Sequence, residues 1–267
     1  MSTREHLLRR SLRRSVRVGE LVVVLARREL RLRYRQSVLD MAWAVIAPVV
    51  TLAVYGYVLS VGFDVRASCG PYAASAWTGM VLWTFVATAV GAATTSLVSA
   101  GDLAKKVRFP LEAVPLSSAA AALADLGVGL VTVVAVVLVA GIGLGLTWLG
   151  ALLPIAMLVV WVSALSVAVG VLSVFLRDLA HATQLALRVG FFATPVVYEA
   201  QLLPPAFAWS VTWNPVGVAI TDVRDAVLCG AWPAPGRSLL LLGVGAVVLV
   251  AALAGARALQ TRIVDAL

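Results

Sequence analysis

Asp125 lies in the middle of the otherwise uncharged apolar run Leu116–Leu138. A carboxylate at that depth costs roughly +2.5–3.5 kcal/mol on membrane-insertion scales. The same run holds 11 Leu or Val residues, each contributing about −0.3 to −0.6 kcal/mol, so a helix still inserts. Two roles fit such a residue. It lines a pathway or gate, or it fixes packing through an interhelical hydrogen bond with neighbours such as Ser117, Ser118 and Thr132. Other chemistry is sparse. The two histidines, His6 and His181, have no metal-ligand spacing around them, and no metal site is expected. No carboxylate pair falls at one membrane depth, and neither G-x-S-x-G nor H-E-x-x-H occurs. No catalytic residue is assigned. A G-x-x-x-x-G-K-[ST] phosphate loop is also missing, so energy for active transport must come from a partner or an ion gradient.

The elements that must position Asp125 follow from composition. Of 267 residues, 61% are hydrophobic and 13% charged, against about 45–50% and 25% in soluble domains. Water-soluble globular and disordered chains are excluded. Each helical span needs roughly 20 apolar residues, which leaves room for six. The apolar runs place them at Met41–Val61, Ala74–Val98, Leu116–Ala140, Ala151–Val174, Leu185–Tyr198 with Pro195 inside it, and Leu239–Ala256. The runs are continuous rather than alternating, so helices are expected and a barrel is not. The fold class is therefore an all-α integral membrane protein of six transmembrane helices.

Charge sets the orientation. Residues 1–40 carry 11 of the 21 Lys and Arg. Adding Lys105, Lys106, Arg108, Arg177, Arg188, Arg257 and Arg262 gives 18 on one side, against Arg66, Arg224 and Arg237 on the other. This asymmetry places both termini in the cytoplasm. Beside hydrophobic spans, such basic charge addresses anionic lipid rather than nucleic acid, and no nucleic-acid partner is expected. The basic region is about 40 residues long and precedes a run of full spanning length, unlike a secretory signal.

Two segments fit neither span nor plain loop. In Val18–Gln36, Arg27, Arg31 and Arg35 form a basic stripe opposite Val22, Leu25, Ala26 and Leu30, with Glu29 and Arg33 interrupting the apolar face. An amphipathic interfacial helix on the cytoplasmic leaflet is expected. Gln201–Gly236 is mostly apolar with five prolines, too long for an unstructured loop. One or two short re-entrant helices before the last span are expected there. The division is thus residues 1–40, a basic segment with the interfacial helix, and 41–267, the transmembrane domain. Cys69 and Cys229 both fall on the outer side, where oxidation is permitted, and are either bridged or two separate thiols. Gly127, Gly129, Gly243 and Gly245 allow close helix contact. Aromatic residues near the span ends, such as Tyr55, Trp77 and Trp213, read as interfacial anchors.

Several stretches resemble the permease subunit of type 2 ABC exporters, in the branch that moves polysaccharides, O-antigen and teichoic acids. They are Arg33-Tyr34-Arg35-Gln36-Ser37-Val38-Leu39 with Trp43-Ala44-Val45 and Pro48; Leu103–Glu112, containing Lys105-Lys106-Val107-Arg108-Phe109-Pro110; Val174–Leu179; Phe191–Tyr198; and Trp213-Asn214-Pro215 with Asp222-Val223-Arg224. Asp40 and Ala47 stand where the family has Gly and Gln. The resemblance implies a self-dimer in the plasma (inner) membrane, served by two copies of a separate ATPase that holds ATP and Mg. It implies no cofactor on this chain. It implies a coupling segment, 101–113, in which Lys105, Lys106, Arg108, Phe109, Pro110 and Glu112 meet the ATPase. The substrate implied is a lipid-linked glycan, whose diphosphate head Arg33, Tyr34, Arg35 and Arg188 would meet at a cytoplasmic entrance. Pro195 and Tyr198 join Asp125 as pathway or packing residues. The alternatives are a drug or small-lipid exporter of the same type, a lipid-modifying membrane enzyme, and a non-transporting scaffold.

Overall fold

In lipid a backbone must satisfy its own polar groups, and a continuous apolar run does so by coiling into a helix. The computed structural model describes residues 18–32, 50, 68–106, 109–199, 206 and 209–267, and the regular structure among them is all helical. The elements are α1 (18–32), α2 (Tyr72–Ser99), α3 (Gly101–Lys106), α4 (Ala113–Val139), a 3-10 turn Leu146–Ala151 leading into α5 (Leu152–Phe175), α6 (Leu179–Ala193), α7 (Trp209–Thr212), α8 (Pro215–Val227), α9 (Pro235–Ala258) and α10 (Gln260–Ala266). Among the described residues, four stretches are long and apolar enough to cross a membrane: α2, α4, α5 with its leading turn, and α9. They coincide within a few residues with the expected second, third, fourth and sixth spans. The expected first span, 41–61, lies outside the described residues apart from Val50.

The expected fifth span is corrected. In place of Leu185–Tyr198 the chain forms α6, which starts six residues earlier and stops at Ala193. Its 15 residues reach about 22 Å, short of the roughly 30 Å hydrocarbon core. The cause is Pro195. It clashes with a helical residue before it, and Thr194 is accordingly extended at φ −107°, ψ 141°. Pro195 therefore sits in a turn after the helix.

Helix α2 is central and packs on α4, α5, α6 and α8. Its Leu82, Phe85 and Ala89 are buried against Ala122, Leu126, Met157 and Leu158. The chain alternates direction through the bundle. One end gathers the start of α2, the 3-10 turn, the segment after α6, and α8. The other gathers α3, Leu25 of α1, the start of α4, and α10 around Leu97, Leu111, Val114, Val171 and Ile263. On α1 the expected faces appear: Ala26 is buried, Val22, Leu25 and Leu30 are half-buried, and Arg27, Arg28 and Arg31 are exposed. Glu29, which interrupts that face, accepts a hydrogen bond from Ser118 of α4 at 3.4 Å.

Two of the four glycines permit close packing inside the chain. A Cβ on Gly129 would lie 2.6 Å from Val81 Cγ1, and one on Gly245 would lie 2.8 Å from Trp161 Nε1. Trp161 Nε1 donates to the Leu241 carbonyl at 2.9 Å, joining α5 to α9. Gly127 and Gly243 face open space. Gly245→Val is expected to push Trp161 off its carbonyl and cost about 1–3 kcal/mol. That is a drop of several degrees in the detergent-solubilised Tm. Gly243→Val should leave the Tm within about 1 °C; equal losses from both would refute the packing argument.

Candidate functional site

Polar side chains converge at both ends of the bundle. At the end that holds the start of α2, α8 is built by a local signal. Asn214 Oδ1 accepts from the Val216 amide at 3.0 Å, and Pro215 occupies the first helical turn. This is an N-cap followed by a residue that has no amide to satisfy. Asn214 Nδ2 also donates to Thr194 Oγ1 at 3.0 Å, tying α8 to the turn after α6. On α8, Gly217, Ile220 and Arg224 share one helical face, and all three are buried.

Arg224 is 6% exposed. Its Nε donates to the Ser75 carbonyl at 3.0 Å, Nη1 to those of Pro195 at 2.9 Å and Tyr198 at 3.3 Å, and Nη2 to that of Val196 at 2.6 Å. One guanidinium thus holds the turn 194–199 against α2, and Gly79 leaves room for it: a Cβ there would overlap the Val196 carbonyl and lie 2.7 Å from Arg224 Nη2. Tyr72 Oη donates to the Val197 carbonyl. Glu199 accepts from Ser75 Oγ at 2.7 Å and Ser68 Oγ at 3.0 Å. Burial lowers the Arg224 pKa to about 10, opposed by Glu199, Tyr72 and Asp225, so the group stays cationic at neutral pH. Burial, then Asp222, raise the Asp225 pKa above the usual carboxylate value.

A pocket of about 270 Å³ opens here, lined by Ser75, Glu199, Thr221, Arg224, Asp225 and the Cys69–Cys229 pair, among others. The two cysteines, 160 residues apart, form a disulfide with Cα atoms 5.2 Å apart. Such a bridge typically contributes about 2–4 kcal/mol by constraining the unfolded chain. One turn away on α8, buried Asp222 accepts from Arg237 at 2.6 Å and Ser238 at 2.7 Å, fixing the start of α9.

At the opposite end, Lys105 and Lys106 are exposed in the last turn of α3, where the helix dipole favours cations. Arg108 lies outside the described residues, and Phe109 and Pro110 are half-buried. Glu112 turns the other way. It is 1% exposed and pairs with Arg257 Nε at 2.8 Å. Sequence reasoning thus grouped residues that the fold divides between an outward and an inward face.

The remaining expected residues are scattered. Arg33, Tyr34 and Arg35 lie outside the described residues, and Arg188 is exposed on α6. Asp125 is half-buried in mid-α4. Its expected neighbours donate elsewhere: Ser117 to the Val114 carbonyl, Ser118 to Glu29, and Thr132 to the Gly129 carbonyl. Pro195 and Tyr198 belong to the turn that Arg224 grips, and Tyr198 Oη donates to the Phe192 carbonyl at 2.6 Å.

The sequence reading passed over Glu199 and Gly79, and it named Arg224 only within a family motif and as an outer-side charge, giving it no site role. The available signal was its register: it falls seven residues after Gly217 and four after Ile220, on the apolar face of a helix opened by Asn214-Pro215.

Comparison with known proteins matches residues 20–228 to the family model described as ABC-2 type transporter. The chain is similar to an O-antigen export system permease protein RfbA of Klebsiella pneumoniae, 26% identical over 212 residues, covering 79% of this chain and 81% of that protein. It is also similar to an O-antigen export system permease protein RfbA of Myxococcus xanthus, 28% identical over 236 residues, 87% of this chain and 89% of that protein.

Proposed function

The chain belongs to the ABC-2 type transporter family, and from that premise we propose that it is the transmembrane permease of an ATP-driven exporter of a lipid-linked polysaccharide, O-antigen or a related cell-surface glycan. The observation that carries the reading is the pair of relatives from distant bacteria. Each aligns over about four-fifths or more of both chains, and each bears the name of an O-antigen export permease. The protein is a multi-pass protein of the inner membrane. Two copies would form the path, served by two copies of a separate ATPase that binds ATP and Mg.

In this reading the chain crosses the membrane six times with both termini cytoplasmic, the fifth crossing being made by the short helix α6 together with the turn 194–199 that follows it. The end with Lys105, Lys106, Arg257 and Arg262 faces the cytoplasm, and the end with Arg224 and Arg237 faces outward, with α7 and α8 re-entrant. Closure of the ATPase on ATP would push on the segment 101–113. The two copies would then shift as rigid bodies and open the path between them. Arg188, with Arg33, Tyr34 and Arg35, would draw the glycan diphosphate to the entrance.

Purification from the native host in mild detergent, with mass spectrometry of what accompanies the chain, tests this. An equimolar nucleotide-binding subunit is expected, and cells depleted of the chain should accumulate the lipid-linked polymer inside. A chain that purifies alone under several gentle conditions would remove the ATPase from the reading. An associated ATPase without polymer accumulation would redirect the cargo to a drug or small lipid.

A further inference from the structure

We propose that Arg257 and α10 are positioning elements for the segment 101–112, so that the last span, α9, moves together with that segment. The inference rests on the reading of 101–113 as the place where the ATPase pushes.

The segment is held at both ends by the chain's C-terminal portion. At its start, α3 packs against α10, with Leu267 lying beside Gly101. At its close, Gln260 Nε2 donates to the Phe109 carbonyl at 3.2 Å. Glu112, which occupies the N-cap position of α4, pairs with Arg257 in the last turn of α9. Between these points Ile263 is fully buried against the cluster of Leu97, Leu111 and Val114.

The division of labour follows from exposure. Lys105 and Lys106 remain outside, free to meet a partner surface. The inward side is fixed by a charge pair whose carboxylate is out of water. A paired buried carboxylate resists separation because desolvation penalises it alone. Displacement of the segment is therefore passed to α4 through the residue at its N-cap position and to α9 through Arg257. Packed elements that move as one unit carry coupling in this way.

The test uses the complex with its ATPase, purified and reconstituted, scoring abundance, Tm, ATP hydrolysis and export per ATP. Arg257→Ala is expected to assemble and hydrolyse ATP while export per ATP falls about tenfold. Arg257→Lys keeps the charge and should recover most of that ratio. A merely structural role predicts that Tm, hydrolysis and export fall in parallel with the ratio unchanged, and that result overturns the proposal. If Arg257→Ala does not accumulate, Gln260→Ala removes only a bond to a backbone carbonyl. It is expected to lower export per ATP about two- to threefold at normal abundance; an unchanged ratio there overturns the proposal too. Recovery of no ATPase with the unaltered chain is a different result. It defeats the functional reading itself and takes this inference with it.

Discussion

Arg224→Ala is expected to produce a loss of stability as large as that of a core truncation. The guanidinium satisfies carbonyls of Ser75, Pro195, Val196 and Tyr198. Pro195, Val196 and Tyr198 lie in or beside a turn without helical hydrogen bonds, so most of these acceptors have no ready alternative. Hydrogen bonds to a charged group contribute about 1.5–3 kcal/mol each, and abandoned buried acceptors add a desolvation cost. A total loss above about 3 kcal/mol follows, even allowing for strong non-additivity. The detergent-solubilised Tm should fall by about 6–12 °C, and the hydrogen-bonded amides of Thr194 and Val196 should lose hydrogen-exchange protection. Arg224→Lys retains the charge but not the planar fork, so it reaches fewer carbonyls and should fall between. Gly79→Val should mimic Arg224→Ala by displacing the Val196 carbonyl and the guanidinium that holds it. Arg237→Ala provides the contrast: its side chain is 35% exposed, and it should cost no more than about half as much. An Arg224→Ala chain with an unaltered Tm and intact protection at Thr194 and Val196 would show that the turn is held by something other than this cation.

The reason the role of this cation escaped the sequence reading is physical. Charge counting treats every arginine outside a long apolar run as solvated, and that assumption holds for Lys105 and Lys106. It fails where a helix too short to span the bilayer is buried in the bundle, because there the cation trades water for backbone carbonyls. The long spans were legible because continuous apolar runs leave the chain no other solution in lipid. Helix α6 was not, because its apolar run continues past Ala193 although Pro195 ends the helix; hydropathy reports composition, whereas the break comes from a steric clash. Glycines 129 and 245 looked equivalent to 127 and 243 in sequence, and only the placement of Val81 and Trp161 separates them. The division of Lys105 and Glu112 onto opposite faces had a similar origin. Their spacing is visible in the sequence, but Arg257, which draws Glu112 inward, is 145 residues away.

On the proposal that the ATPase docks against 101–113, Lys105→Glu combined with Lys106→Glu is expected to release it while leaving the permease folded. Both lysines are exposed, and exposed ion pairs contribute about 0.2–1 kcal/mol each. Reversal replaces two attractions by two repulsions, so the change in docking is on the order of 1–3 kcal/mol, or about 10- to 100-fold in affinity. The amount of ATPase recovered with the chain should fall by that factor in low salt, and export should fall with it. Raising salt should weaken the unaltered complex, since a Debye length of about 8 Å at physiological ionic strength screens exposed charges. One competing effect must be separated. The two lysines close the last turn of α3, where glutamates oppose the helix dipole by about 0.3–1 kcal/mol. Lys105→Gln with Lys106→Gln removes the attraction without adding an anion to that turn. It should lose only about half as much docking free energy as the reversed pair. If the neutral and reversed pairs lose ATPase equally, the helix rather than the charge is what the partner needs. If the reversed pair binds and exports normally, this face is not where the ATPase docks.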